Sequence, residues 1–183
     1  MSKNERDRTD YYITILPLDD DGRREPSMFE SFPEHAKAIA FIIAEWNQIE
    51  FSLSGLLSLH IRVAPAAVRS MVYAIESSGG RLDLMRAAFT NLESNAEDRA
   101  EILGILDEAQ SVLRQRNKYA HGLFGKSPDG GLALFGLRRD EVTDLPLHDL
   151  NHQVNRVRDL SFRVRKLASK RLGLFGTGNP DKG

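Results

Sequence analysis

Three long stretches with apolar residues at helical spacing constrain the fold of this chain more than any other feature. They cover about residues 34–62, 96–121 and 144–172. Each repeats apolar side chains at intervals of three and four residues, which is the spacing of one face of a helix. Helices of this length bury their apolar faces mainly against one another. We therefore expect an all-α fold, an antiparallel helical bundle of four to five helices.

The remaining segments fit around these helices. Two shorter helical patterns cover about 64–77 and 81–93, and the breaker "SSGG" (77–80) lies between them. The turn sequence "SPDG" between apolar runs predicts a short β-hairpin at about 122–138, before the last long helix. Residues 1–33 look irregular, although "YYITILPL" (11–18) is typical of an edge strand. We expect one domain over 34–172 and a flexible tail over 173–183.

Composition limits the classes of protein that need consideration. The chain has 183 residues, a formal net charge of -1 and no cysteine. The missing cysteines exclude disulfides and thiolate metal sites, and they suit a reducing compartment. No apolar run reaches the roughly 18 residues of a membrane span, and the charged N-terminus does not resemble a signal peptide. We therefore expect a cytoplasmic protein without a membrane partner.

Polar residues stand where the helical pattern of 96–121 calls for apolar ones. On a helical wheel, Arg116 and Asn117 flank the apolar axis, whereas Arg114 and Lys118 point away from it. His121 follows four residues after Asn117, so the two side chains are neighbours on the helix. Gly122 is a plausible residue for ending the helix at His121.

The first long helix carries a matching anomaly. Glu50 falls inside its apolar face, His60 falls there near the end, and Asn47 lies at the edge. A buried carboxylate needs a partner, because an unpaired buried charge is costly. We expect Arg116 to supply that partner if the two helices pack together.

Two interpretations of these polar residues remain open at this point. In the first, Glu50 and Arg116 form a buried ion pair, and Asn117 and His121 complete the end of the helix. In the second, the same residues form a polar pocket in which His121 transfers protons near neutral pH. Natural sequences break local rules mainly at functional sites, which favours the second interpretation.

The stretch "RNKYAH" resembles the R-x4-6-H motif of the HEPN superfamily (higher eukaryote and prokaryote nucleotide-binding domain). Arg116, Asn117 and His121 match its short form, with Asn after Arg and four intervening residues. The position also matches, at the C-terminal end of a long helix in an all-α bundle. The segment "EWNQIEFSLSGLL" (45–57) resembles the first helix of small prokaryotic members, and the resemblance covers roughly 34–172.

The resemblance implies an endoribonuclease that needs no metal and no cofactor. His121 would act as the base for attack by a ribose 2′-OH, and Arg116 would stabilise charge on the phosphoryl oxygens. Asn117 would orient His121 or donate to phosphate, and the products would end in a 2′,3′-cyclic phosphate. Glu50 would hold Arg116, and Tyr119 (inside the motif) and Asn47 are further supporting residues.

Partners follow from the same resemblance. It implies RNA as the substrate, a homodimer that brings two motifs together, and a role as an antiviral effector or as a toxin paired with an antitoxin protein. An alternative is a catalytically inactive HEPN-like dimeric module that binds a nucleotide or a protein partner. A third is a helical regulator in which the Arg–Glu pair is purely structural.

The last helix is strongly basic, with seven Lys and Arg residues against one acid over 156–171. Arg156, Arg163 and Lys166 are therefore candidates for binding RNA phosphates. A solvated helix face with cations near its C-terminus is the other interpretation. His148 and His152 lie four residues apart, but two ligands alone do not make a metal site, so no metal is expected.

Overall fold

A computed structural model describes residues 27–93, 95–135 and 142–171 of the chain. This part is mostly helical, which confirms the expected fold class in its coarse form. It contains six helices and three short strands, in the order α1 (Met28–Ser31), α2 (Pro33–Ile61), α3 (Pro65–Tyr73), α4 (Ser78–Leu92), α5 (Ala96–His121), β1 (Leu123–Lys126), β2 (Leu132–Phe135), β3 (Val142–Asp144) and α6 (Leu147–Arg171). No helix within these ranges is both long and apolar enough to cross a membrane.

The described chain divides into two compact units. Residues up to 43 and residues 115–155 form the first unit, and 44–114 and 156 onward form the second. The first unit therefore holds α1, the sheet and the end of α5. The second holds α3, α4 and most of α2, α5 and α6.

The first unit is organised around a three-stranded antiparallel sheet of order β1-β2-β3. The central strand β2 is fully buried and pairs with β1 in the register Leu123 opposite Phe135. The turn between them uses Gly130, whose φ of 80° favours glycine. The predicted hairpin is thus confirmed. The third strand was not predicted, and the candidate strand 11–18 lies outside the described residues.

A short helix precedes α2 in a segment that the sequence presents as irregular. The Ser27 hydroxyl accepts a hydrogen bond from the Glu30 N–H, and the Glu30 carboxylate accepts one from the Ser27 N–H. This reciprocal capping stabilises α1. The Phe29 ring packs against Phe124 of β1, with ring centroids 5.3 Å apart. The prediction of irregular structure was wrong for these residues, because four residues are too few to show a helical period.

The core of the second unit confirms the predicted apolar faces of the long helices. Its largest fully buried side chains come from α2, α4, α5 and α6, and include Trp46, Ile49, Leu53, Met85, Phe89, Ile102, Leu106 and Leu160. Trp46 on α2 is completely buried. Between α2 and α3, Arg62 adopts a φ of 56°, which terminates the first long helix.

The boundary between the two shorter helices differs from the prediction. The structure ends α3 at Tyr73 and begins α4 at Ser78, so Gly79 and Gly80 lie in the first turn of a helix. The cause is Ser77, whose hydroxyl accepts a hydrogen bond from the Gly80 N–H and caps α4. At the start of α5, Asn95 caps in the same way through the N–H groups of Glu97 and Asp98.

Candidate functional site

The motif residues Arg116, Asn117 and His121 lie at the C-terminal end of α5, directly before the first strand of the sheet. His121 is the last residue of α5, and β1 begins at Leu123. The Gly122 N–H donates a 2.9 Å hydrogen bond to the Lys118 carbonyl, which closes the helix. A Cβ at Gly122 would lie 2.6 Å from that same carbonyl oxygen and would meet the Leu134 side chain. Glycine is therefore required here for close packing against β2, and this packing fixes the backbone beside His121.

Arg116 is half-buried one turn before the helix end. Its Nη1 donates a 3.1 Å hydrogen bond to Oδ1 of Asn117. Its Nε is buried and has no hydrogen-bond partner among the described residues. Buried polar groups are normally paired, so the guanidinium retains donor capacity that the described contacts do not use.

Asn117 and His121 are both exposed, on the same edge of the helix. An exposed imidazole is accessible to a substrate, as proton transfer to or from a bound group requires. The structure thus brings Arg116 and Asn117 into contact and places His121 one turn further along.

Tyr119 lies on the opposite, inward side of the same turn. Its side chain is buried, and this burial, together with the nearby Asp149 carboxylate, raises the pKa of the phenol above its usual value of 10.0. The phenol is therefore neutral at physiological pH. Tyr119 is therefore a core residue of the first unit, and its supporting role at the motif stays a prediction.

Glu50 lies in the second unit, where its carboxylate pairs with Arg81. The Arg81 Nη1 lies 3.2 Å from Oε2 of Glu50. The prediction that Glu50 is a core-facing, paired carboxylate is confirmed, but the prediction that Arg116 is its partner was wrong. A helical wheel shows which residues face inward and not which helix faces them, so it could not identify α4 as the source of the cation.

Asn47 also belongs to the second unit, where it is exposed on α2. Within the described part of the chain, Asn47 makes no hydrogen bond that would assign it a supporting role. Its position on the edge of the apolar face agrees with the pattern, but its place in the site stays a prediction.

The basic residues of α6 are partly engaged in ion pairs. Arg163 and Arg156 both approach the carboxylate of Glu108 on α5, Arg156 at 3.9 Å. Lys166 is exposed and lines a cavity between α5 and α6, together with Lys170. The three candidates for phosphate binding therefore differ, because Arg156 and Arg163 share the Glu108 carboxylate and Lys166 takes no part in that ion pair.

A buried polar cluster in the second unit was only partly foreseen. Glu93 is buried and accepts a 2.6 Å hydrogen bond from Arg171, which also lies 3.1 Å from Asp98. The His60 Nδ1 lies 3.4 Å from the same Glu93 carboxylate. The helical pattern places His60 as a polar residue on an apolar face, but its partners come from distant segments that no local spacing connects.

The electrostatics of Glu93 follow from these contacts. Burial raises the pKa of its carboxyl, but hydrogen bonds from the Asn95 N–H and from Arg171, together with the charges of Arg171 and His60, outweigh burial. The net result is a pKa below the usual value of 4.5. Glu93 is thus held as a carboxylate that joins the ends of α2, α4 and α6.

The histidine pair of α6 does not extend into a larger set of ligands. His148 is exposed, and its Nε2 lies 3.3 Å from the exposed carboxylate of Asp149. Across the described ranges, no group of three or more His, Cys, Asp or Glu side chains is arranged to hold a metal ion.

Comparison with known proteins adds no relative from which a role could be transferred. No protein-family model matches the chain, and no curated protein or solved structure does so. The function must therefore be argued from the residues themselves.

Proposed function

We propose that this chain is a metal-independent endoribonuclease of the HEPN type, with its helices arranged as an antiparallel bundle. The observation that carries the proposal is the arrangement at the end of α5. There the Arg–Asn–x3–His sequence presents two exposed polar side chains, Asn117 and His121, beside the half-buried Arg116. Close packing at Gly122 supports a fixed position for His121.

The chemistry requires a base and a fixed cation at one phosphodiester. His121 accepts the proton of a ribose 2′-OH as its oxygen attacks the adjacent phosphorus. The bond from phosphorus to the 5′-oxygen then breaks, and that oxygen takes up a proton. Arg116 donates to the non-bridging oxygens, on which negative charge develops. The products are a 2′,3′-cyclic phosphate and a 5′-hydroxyl.

The biological setting that we propose comes from the family resemblance. A homodimer would bring two copies of the motif to one RNA strand, in the cytoplasm. A role as a toxin neutralised by an antitoxin protein, or as an antiviral effector, suits such an enzyme. Arg156, Arg163 and Lys166 would contact the RNA backbone.

The deciding experiment measures cleavage of a labelled single-stranded RNA in EDTA by the wild type and by His121→Ala. Loss of the general base is expected to slow cleavage by about 100-fold or more. Lys118→Ala is the matched control, because it removes another exposed polar side chain from the same helical turn. Equal rates for wild type and His121→Ala would refute the assignment, and so would products without a cyclic phosphate.

One observation favours a second candidate function, an inactive dimeric module that binds a nucleotide or a protein partner. Arg116 donates to Asn117, so one N–H of the guanidinium is satisfied within the motif. Absence of cleavage by the wild type, combined with saturable binding of a nucleotide, would establish this alternative.

A further inference from the structure

An exposed aromatic side chain stands among cations on the outward face of α6. Phe162 is 61% exposed, although it lies in the middle of a long helix of the second unit. Arg158 precedes it by four residues, and Arg165 and Lys166 follow it by three and four. Side chains at these spacings are neighbours on a helix surface, so cations lie on both sides of the ring. Asp159, three residues before Phe162, is also a neighbour and is the single acid of α6 beyond residue 155, so three cations and one carboxylate border the ring.

A groove continues this face towards α5. A cavity of about 730 Å³ has an apolar floor, to which Gly104 and Leu167 contribute, and a rim that carries Arg163, Lys166 and Lys170. Glu101 also lines this cavity, so its lining holds three cations and one carboxylate. Lys166 belongs both to the groove and to the border of Phe162. A backbone phosphate in the groove and a base on the ring would therefore both lie within reach of this lysine.

Two cations of this face are held in ion pairs. Arg163 pairs with Glu108 and Arg165 with Glu45; the arginine side chains are 47% and 55% exposed, but the carboxylates are only 26% and 17% exposed. Because removing a partner from a half-buried carboxylate is costly, these two arginines are expected to stay in their pairs. Neither pair involves Lys166 or Lys170.

We propose that this face of α6 binds single-stranded RNA, with Phe162 stacked on an unpaired base and with Lys166 and Lys170 on backbone phosphates. Exposed aromatic rings interleaved with cations are the chemistry by which proteins hold single strands, because every base has a π-face and every linkage a charge. A duplex hides its base faces and offers only its phosphates. The choice of RNA rests on the proposed function, whereas the stacking and charge argument rests on this surface alone.

The test measures binding of a fluorescent RNA of about 12 nucleotides, a length within the usual range for such surfaces. The protein carries His121→Ala so that no cleavage intervenes. Phe162→Ala is expected to weaken binding by about 5- to 150-fold, and Phe162→Trp to retain it. An abasic strand of the same length removes the bases and keeps the phosphates, so its affinity should not respond to Phe162→Ala.

Substitutions of Lys166 and Lys170 are expected to affect affinity in a different way from Phe162→Ala. Lys166→Gln and Lys170→Gln should each weaken binding of the RNA and of the abasic strand. Each should also make the negative slope of log affinity against log salt shallower by about 0.7. Lys37→Gln is the charge control on α2. Phe51→Ala is the aromatic control, because Phe51 is 50% exposed but its ring already carries Arg69 at 5.1 Å. Both controls should leave the affinity unchanged.

Several outcomes would overturn the inference. The first is that Phe162→Ala weakens binding of the RNA and of the abasic strand by the same factor, and the second is that duplex and single-stranded RNA bind with equal affinity. The third is that the protein binds DNA but not RNA. The fourth is that poly-glutamate binds as tightly as the RNA does. Melting temperatures of all variants must match the parent. Failure of the proposed function is distinguishable: a wild type that binds RNA through Phe162 without cutting it refutes only the ribonuclease. Cleavage with binding that ignores Phe162 refutes only this inference.

Discussion

Arg81 places its Nη1 3.2 Å from Oε2 of Glu50, and both side chains are largely withdrawn from solvent. The same guanidinium donates from Nε to the Ile75 carbonyl at 2.8 Å and from Nη2 to the Glu76 carbonyl. It also lies over the Tyr73 ring, with Cζ 4.6 Å from the centroid. One side chain of α4 thus joins α2 to the segment that connects α3 and α4.

Glu50→Ala is expected to lower the free energy of unfolding by about 3–5 kcal/mol, because it leaves the Arg81 charge in a site largely withdrawn from solvent and without its partner. Chemical denaturation at neutral pH measures this change. The double variant with Glu50→Ala and Arg81→Met should lose less free energy of unfolding than the two single variants added together, because both substitutions remove the same interaction.

The exposed pair of Glu34 and Lys37 on α2 provides the matched control. Its side chains lie 2.6 Å apart but are 61% and 72% exposed. Glu34→Ala should change the free energy of unfolding by less than about 1 kcal/mol. If Glu50→Ala had no larger effect than Glu34→Ala, the buried pair would have no structural importance.

Gly122→Ala tests the packing that fixes the end of α5. A methyl group there meets the Lys118 carbonyl and the Leu134 side chain, so we expect a loss of about 1–3 kcal/mol in stability. Gly55→Ala, inside α2, is the matched control, because apart from its chain neighbours and the adjacent backbone of α2 no described atom lies within 4 Å of its Cβ position. That substitution should instead stabilise by about 0.5–1 kcal/mol. Destabilisation by Gly55→Ala, or none by Gly122→Ala, would contradict the packing argument.

Glu93 should make stability depend on acidity. Its carboxyl has a lower pKa in the folded chain than in the unfolded one, so the unfolded state binds its proton more readily. Its contribution to stability is therefore complete above about pH 4.5, the usual value, and is lost as the pH falls through the folded pKa.

Comparing wild type with Glu93→Gln over a range of pH measures that contribution. The wild type should be more stable near pH 7, and the difference should shrink as the pH falls below 4.5. Glu93→Gln removes the charge of one of the two carboxylates near Arg171, the one that Arg171 shares with His60, and leaves Asp98 in place. A stability difference that stays constant from pH 7 to pH 3 would show that the carboxylate is not the group responsible.

The sequence predicted well whatever depends on local periodicity. The bounds of α5 agree with the prediction, and those of α2 and α6 differ by a few residues at most, because each apolar stripe persists over several turns. Capping decided the differences: Ser77 begins α4 earlier than the "SSGG" stretch suggests, and the Ser27–Glu30 pair forms α1. These caps depend on single side chains, which a periodicity argument does not weigh.

The partners of the polar residues could not be predicted in the same way. The wheel correctly placed Glu50 on a buried face, but Arg81 is 31 residues away in sequence. Glu93 likewise joins Arg171 across 78 residues. Such pairings depend on the relative placement of helices, and periodicity within one helix contains no information about it. Within one turn of α5, by contrast, spacing correctly separated the half-buried Arg116 from the exposed Arg114.

Arg116→Gln distinguishes a structural role from a catalytic one at the motif. The Arg116 hydrogen bond in the structure is to the exposed Asn117, so its loss should change the melting temperature little. A cation that stabilises the transition state contributes far more free energy to the reaction, so cleavage should slow by about 100-fold or more.

Arg116→Lys should recover only part of the rate, because an ammonium cannot donate two parallel hydrogen bonds to phosphate. Arg114→Gln, an exposed arginine two residues away, should leave both the rate and the melting temperature unchanged. A large fall in melting temperature with Arg116→Gln, accompanied by an unchanged rate, would assign the residue to the helix end instead of the reaction.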